Sequence, residues 1–151
     1  MKKIEVALPV LSVCLALIAL AMTGSYASKK EKELEQRRAN ALDVIELLES
    51  GGVDWRAAPG GEYVGPYQIS EAYLEDARNA DPDLAGMPLS ACSSPELSRR
   101  VVAAYMRRWV PEAWASGDQE AILRTHFGGP RGAEKETTLP YWERGRNLLE
   151  R

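Results

Sequence analysis

An amphipathic helix that is made to stop at Ser50-Gly51-Gly52, followed by a Gly-rich stretch, constrains this chain more than any other feature. From Ser28 to Ser50 the pattern is helical. It is charged at first (Lys29-Lys30-Glu31-Lys32-Glu33), then apolar at Leu34, Ala41, Leu42, Ile45 and Leu48. At about 100° per residue, Glu49 falls about 40° of rotation from Ile45, between Ile45 and Leu42 and inside the apolar arc. A carboxyl group there is expected to be partly desolvated. Desolvation favours the protonated form, which is the state a general acid needs. The alternative is a glutamate that caps the helix end or reaches out to solvent.

Residues 51–64 carry four Gly and one Pro, then Tyr63 and Val64, which suits a short β-hairpin around Pro59-Gly60-Gly61. Gly65-Pro66-Tyr67-Gln68-Ile69 forms the next turn. Ser70 can cap a helix from Glu71 to Arg78. Asp81-Pro82-Asp83 and Met87-Pro88 mark a loop. Ser94-Pro95-Glu96 starts a helix with Pro at its first position. Leu97, Val101, Ala104, Tyr105 and Arg108 follow at helical spacing, and Pro111 is expected to end the element. A shorter helix runs from about Asp118 to Thr125, and a last one starts near Thr138 with Tyr141, Trp142 and Leu148. There is no internal repeat. The elements amount to a mostly α, α+β domain with one hairpin.

At 151 residues the chain is read as one domain behind a leader. Lys2 and Lys3, an apolar run from Val6 to Met22, and Ser25 and Ala27 at small-residue spacing fit a secretory signal cut after Ala27. The apolar run also just reaches the length of an uncleaved membrane anchor. Leu11-Ser12-Val13-Cys14 has Val where a lipoprotein signal wants a small residue, so lipidation is not expected. The organisation is therefore 1–27 leader or anchor, 28–40 charged helical spacer, and 41–151 domain, in an extracytoplasmic setting. Without Lys2, Lys3 and Glu5 there remain 17 basic and 21 acidic residues, net −4. That argues against nucleic-acid binding, which needs a basic patch. Cys92 would be the single cysteine after removal of the leader, so no internal disulfide can form and the core must hold the fold. One His and no paired Cys offer no metal constellation. No phosphate-cradling Gly motif follows a strand, and no cofactor is expected.

Five short pieces occur in a known order: Glu49-Ser50-Gly51-Gly52; Gly65-Pro66-Tyr67-Gln68-Ile69; Ala104-Tyr105-Met106-Arg107-Arg108; His126-Phe127-Gly128-Gly129-Pro130-Arg131-Gly132; and Thr138-Leu139-Pro140-Tyr141-Trp142. Together they resemble the invertebrate-type lysozyme (destabilase) family and its bacterial relatives, from about Leu42 to Trp142. The resemblance implies a lysozyme-like fold with a small β-hairpin beside the cleft, cleavage of peptidoglycan glycan strands, and Glu49 at the position of the catalytic acid. The chain departs from the animal members in lacking their disulfides.

Glycoside hydrolysis usually needs a second carboxylate across the sugar. The resemblance implies a hairpin Asp, but its position falls at Ala58 or Pro59, which cannot ionise. Glu62 on the same hairpin and Asp54 are the nearby substitutes, with Glu62 the better placed. A third option uses Glu49 alone, as lytic transglycosylases of this superfamily do. His126 sits in the motif that family members have been credited with using, together with a Ser, for isopeptide cleavage. No Ser partner is apparent, and a structural or cleft-wall role is the simpler reading. Phe127 stands where the family usually has Asn. Tyr67, Gln68, Tyr105 and Trp142 are candidate groove walls, where rings pack on sugar faces and an amide reads acetamido groups. All but Gln68 fit equally well in a core. The leading expectation is an exported, monomeric peptidoglycan glycosidase with Glu49 as acid and Glu62 or a positioned water opposite. Its rivals are a lytic transglycosylase and a lysozyme-like protein that holds glycan without cutting it.

Overall fold

The computed structural model describes residues 7–51 and 61–151, with side chains from Tyr26 onward. Six α-helices lie among the described residues: α1 (Ala7–Ser50), α2 (Glu71–Arg78), α3 (Pro95–Trp109), α4 (Pro111–Ser116), α5 (Gln119–Gly128) and α6 (Leu139–Leu149). Short 3-10 turns at Pro82–Leu84, Leu89–Ser93, Gly132–Glu134 and Glu136–Thr138 connect them. The chain divides into two compact units, Met1–Glu35 and Gln36–Arg151. In the first, the described side chains of α1 are mostly exposed, as at Tyr26 and Lys29. Its Lys29–Glu33 pair, 3.9 Å apart on one helix face, is of the solvated kind that adds little stability. The apolar run from Val6 to Met22, and with it the leader and anchor readings, lies outside the residues described in side-chain detail. Among the described residues no helix is long and apolar enough to cross a membrane.

The second unit holds the core. The apolar stripe of α1 (Ala41, Leu42, Val44, Ile45) meets Val101, Val102 and Met106 of α3, Ile122 and Leu123 of α5 and Tyr141 of α6, all buried. Hydrophobic burial of this continuous cluster is what holds the unit. Cys92 is a buried free thiol, with its pKa pushed up to about 11 by burial. The unit begins at Gln36. Arg37 Nε donates to the Gly117 carbonyl at 2.9 Å, and Arg99 Nη2 donates to the Ala39 carbonyl at 3.0 Å.

Local chemistry explains the element ends. Ser70 accepts from the Tyr73 N–H and Ser94 from the Leu97 N–H, the N-cap arrangement that satisfies orphan helix donors. α3 ends at Trp109 because Val110, preceding Pro111, is driven off the helical region to φ −138°, ψ 56°. Pro111 then does more than the spacing predicts. It occupies the first position of α4, where its missing N–H costs nothing.

The β-hairpin expected over 51–64 falls mostly on residues 52–60, outside the described residues. Among those described there is no strand, only an isolated antiparallel bridge between Val64 and Ile69. Reciprocal 2.9 Å backbone hydrogen bonds close this bridge, and Gly65-Pro66-Tyr67-Gln68 forms the turn it closes. Gly65 has φ +80°, and a Cβ there would lie 1.7 Å from the Cys92 carbonyl oxygen, so only glycine fits.

Candidate active site

The helix ending that the sequence imposes puts Glu49 in the last turn of α1, beside α5 and α6. Its side chain is 20% exposed. Tyr141 donates its hydroxyl proton to Glu49 Oε1 at 2.8 Å. Burial raises the Glu49 pKa, and the Tyr141 hydrogen bond and the Arg144 charge hold it back. Arg144 itself lies over the Tyr141 ring, 5.7 Å from its centre. One carboxylate oxygen is thus taken by a fixed donor, and the proton of the neutral acid belongs on the other.

His126, on α5, is 5% exposed, and its Nε2 lies 4.0 Å from Glu49 Oε1. Burial lowers its pKa to about 4, opposed by a hydrogen bond to the Tyr67 backbone. The imidazole is therefore neutral near pH 7, and its approach to Glu49 is not an ion pair. Its Nδ1 and the Tyr73 hydroxyl are 3.1 Å apart. Tyr73 in turn stacks on Tyr105, with ring centres 3.7 Å apart and planes 13° apart.

A cleft of about 480 Å³ opens over these groups, lined by Glu49, Tyr63, Gln68, Ser70, Tyr73, His126 and Phe127. Gln68 is held at φ +49°, a left-handed conformation rare for residues with a Cβ. Its side-chain amide donates to the Gly65 carbonyl at 2.9 Å, which fixes it on the cleft edge. A strained polar residue at a cavity is a place to look for function.

Of the residues singled out from the sequence, Glu49, Gln68 and His126 come together here. Four others, Tyr67, Tyr105, Glu62 and Trp142, do not. Tyr67 was expected in the groove wall but is fully buried, with its hydroxyl 3.3 Å from both Glu46 Oε2 and Arg99 Nη1. Burial pushes its pKa up to about 12. Tyr105 is 3% exposed and supports the site from beneath Tyr73. In both cases the ring serves the core, because leaving its place empty would create a large buried void; the Tyr67 hydroxyl also finds partners there. Glu62 is exposed and lines a neighbouring cavity of about 350 Å³ with Gly61, Tyr63, Ser70, Glu71 and Leu89. Among the described residues the carboxylate on the main cleft is Glu49. Ala58, Pro59 and Asp54 lie outside the described residues. Trp142 is partly buried against the core.

Sequence reasoning missed Tyr141, Tyr73 and the two exposed rings at the cleft, Tyr63 and Phe127. The signal for Tyr141 was present in the Thr138–Trp142 piece, but nothing local ties it to a glutamate 92 residues away.

A mostly helical domain whose longest helix ends in a desolvated glutamate over a cleft is lysozyme-like, and a solved structure agrees. The chain matches one in the crystal structure of Aeromonas hydrophila PliI in complex with Meretrix lusoria lysozyme, with a TM-score of 0.56 and 30% identity. That match covers 72% of this chain and 87% of the other. The Meretrix lusoria lysozyme is 32% identical over 106 residues, 68% of this chain and 83% of its own length. The invertebrate-type lysozyme of Ruditapes philippinarum is 32% identical over 100 residues, covering 64% and 70%. No family model matches. The chain belongs to the invertebrate-type lysozyme family. It spans 56% of the length of a 35% identical lysozyme from Magallana gigas and 55% of a 37% identical one from Crassostrea virginica.

Proposed function

We propose that this chain is a lysozyme-type glycosidase that cleaves the β-1,4 glycan strands of peptidoglycan, with Glu49 as the general acid. The observation that carries the reading is the state of Glu49: desolvated, raised in pKa, and held through one oxygen by Tyr141 at the floor of an open cleft. A carboxyl group whose pKa is raised by burial keeps its proton to higher pH than a free one, and from that state it can protonate the leaving glycosidic oxygen. Neutral His126 beside it leaves that proton in place, since a cationic imidazole would favour the carboxylate. Gln68 offers an amide to the acetamido groups of the sugars. The same reading takes residues 1–27 as an export signal or, uncleaved, as an anchor, because the glycan lies outside the cytoplasmic membrane.

Glu62 or a positioned water serves the opposite face of the sugar. The exposure of Glu62 on a neighbouring cavity favours a second reading, in which Glu49 works alone and the sugar's own 6-hydroxyl closes an anhydro ring, as in a lytic transglycosylase.

The test is mass spectrometry of purified peptidoglycan digested with the chain and with Glu49→Gln. Hydrolysis gives reducing-end products, and the transglycosylase route gives products one water lighter. Glu49→Gln should lower cleavage about 10²–10⁴-fold with an unchanged circular dichroism spectrum. Substantial cleavage by the folded variant would remove Glu49 from the role. Glycan bound but never cut by the parent would leave the non-catalytic reading.

A further inference from the structure

Exposed apolar side chains are ordinary when scattered on a convex surface. Phe127 differs from Leu47, Leu97, Trp109 and Leu139 because it is 53% exposed inside the cleft that contains Glu49. Its ring is also fixed. One face stacks on Tyr141, with ring centres 4.5 Å apart and planes 18° apart, and Tyr141 is only 2% exposed. The hydroxyl of that same Tyr141 holds Glu49. A second exposed ring, Tyr63 at 47%, lines the same cleft. An aromatic ring with one face backed by a buried partner and the rest open to a concave site is preorganised to receive a flat ligand that is apolar on one side. A pyranose ring has that shape, with axial C–H groups on a face and hydroxyls around its edge.

We propose that Phe127 is an aromatic platform on which one N-acetylhexosamine ring of a β-1,4 glycan stacks next to Glu49. The inference rests on the glycosidase reading for the choice of ligand. The stack Phe127–Tyr141–Glu49 then ties the position of the sugar to that of the acid, because the ring that supports the platform also supplies the hydrogen bond to the carboxyl group.

The probe is a hexasaccharide of alternating N-acetylglucosamine and N-acetylmuramic acid, titrated calorimetrically into the full chain carrying Glu49→Gln so that nothing is cut. On that background Phe127→Leu keeps an apolar cover over Tyr141 but removes the ring, and should weaken binding about tenfold. Phe127→Trp keeps a ring and should bind within about twofold of the parent or more tightly. Unchanged affinity in Phe127→Leu, or a loss in folded Phe127→Trp as large as that in Phe127→Leu, overturns the platform. In either case the parent still binds, so the glycosidase reading survives. A parent that does not bind the hexasaccharide removes both.

Discussion

Burial and the Tyr141 hydrogen bond act on the protonation of Glu49 in opposite directions, and His126 beside it contributes separately to the pH dependence of stability. The Tyr141 hydrogen bond favours the ionised carboxylate, so Tyr141→Phe should raise the Glu49 pKa further. A general acid must be protonated to act, so the alkaline limb of the kcat/KM profile should move to higher pH. The maximal rate should fall about tenfold as the carboxyl loses its fixed orientation. An unmoved alkaline limb would show that Tyr141 only fills space. His126 titrates in the opposite sense. Its folded pKa is about 4, below the ordinary value of 6.5, so between these values the unfolded chain binds the extra proton. Stability should therefore rise with pH through that window and be lost as pH falls from about 6.5 to about 4, by on the order of 3 kcal/mol. His126→Gln should flatten that part of the melting-temperature profile, and a slope equal to the parent's would assign the acid sensitivity to other groups.

At the scale of elements, two glycines report how the helices and the turn are locked together. The missing Cβ of Gly65 would strike a backbone carbonyl, that of Cys92, at a positive φ. Gly65→Ala should cost about 3 kcal/mol or more, because neither strand of backbone can move aside cheaply. A Cβ at Gly145 on α6 would meet the Leu123 side chain at 2.1 Å and Val44 at 3.3 Å. Those are rotatable apolar tips, so Gly145→Ala should cost less, about 1–3 kcal/mol. Urea denaturation of both variants checks the order, and an equal or reversed order would mean that the Gly65 turn can relax. The boundaries of α2 and α3 were legible in the sequence because Ser70 and Ser94-Pro95 are local signals acting within one turn. The start of α4 at Pro111 was not, because one proline can both end a helix and begin the next. Which of the two occurs depends on where Trp114, partly buried against the core, finds its place.

For the whole molecule, the described core begins at Ala41 and the compact unit at Gln36. A chain trimmed to begin at Ser28 should therefore fold, with a melting temperature equal to that of the rest of the protein and the same near-ultraviolet circular dichroism. A trimmed chain that is unfolded or aggregated would show that residues before Ser28 are needed for the core. With Cys92 buried and unpaired, reducing agent should leave that melting temperature unchanged.

What the sequence determined alone were the features whose physics is local. The phase of Glu49 on its helix follows from 3.6 residues per turn, and the Ser and Pro caps follow from unsatisfied backbone donors. The five short pieces determined membership of the lysozyme family. What only the tertiary structure decided was which rings face sugar-sized space and which face the core. Tyr67 and Phe127 are both aromatic residues next to turns, and no local rule separates them. Packing sends Tyr67 inward to Glu46 and Arg99 and leaves Phe127 open over Tyr141. The partner of Glu49 was decided in the same way, since it arrives from a helix 92 residues further along the chain. Such pairings depend on how the apolar faces of several helices fill one volume, and that is a property of the assembled core rather than of any segment.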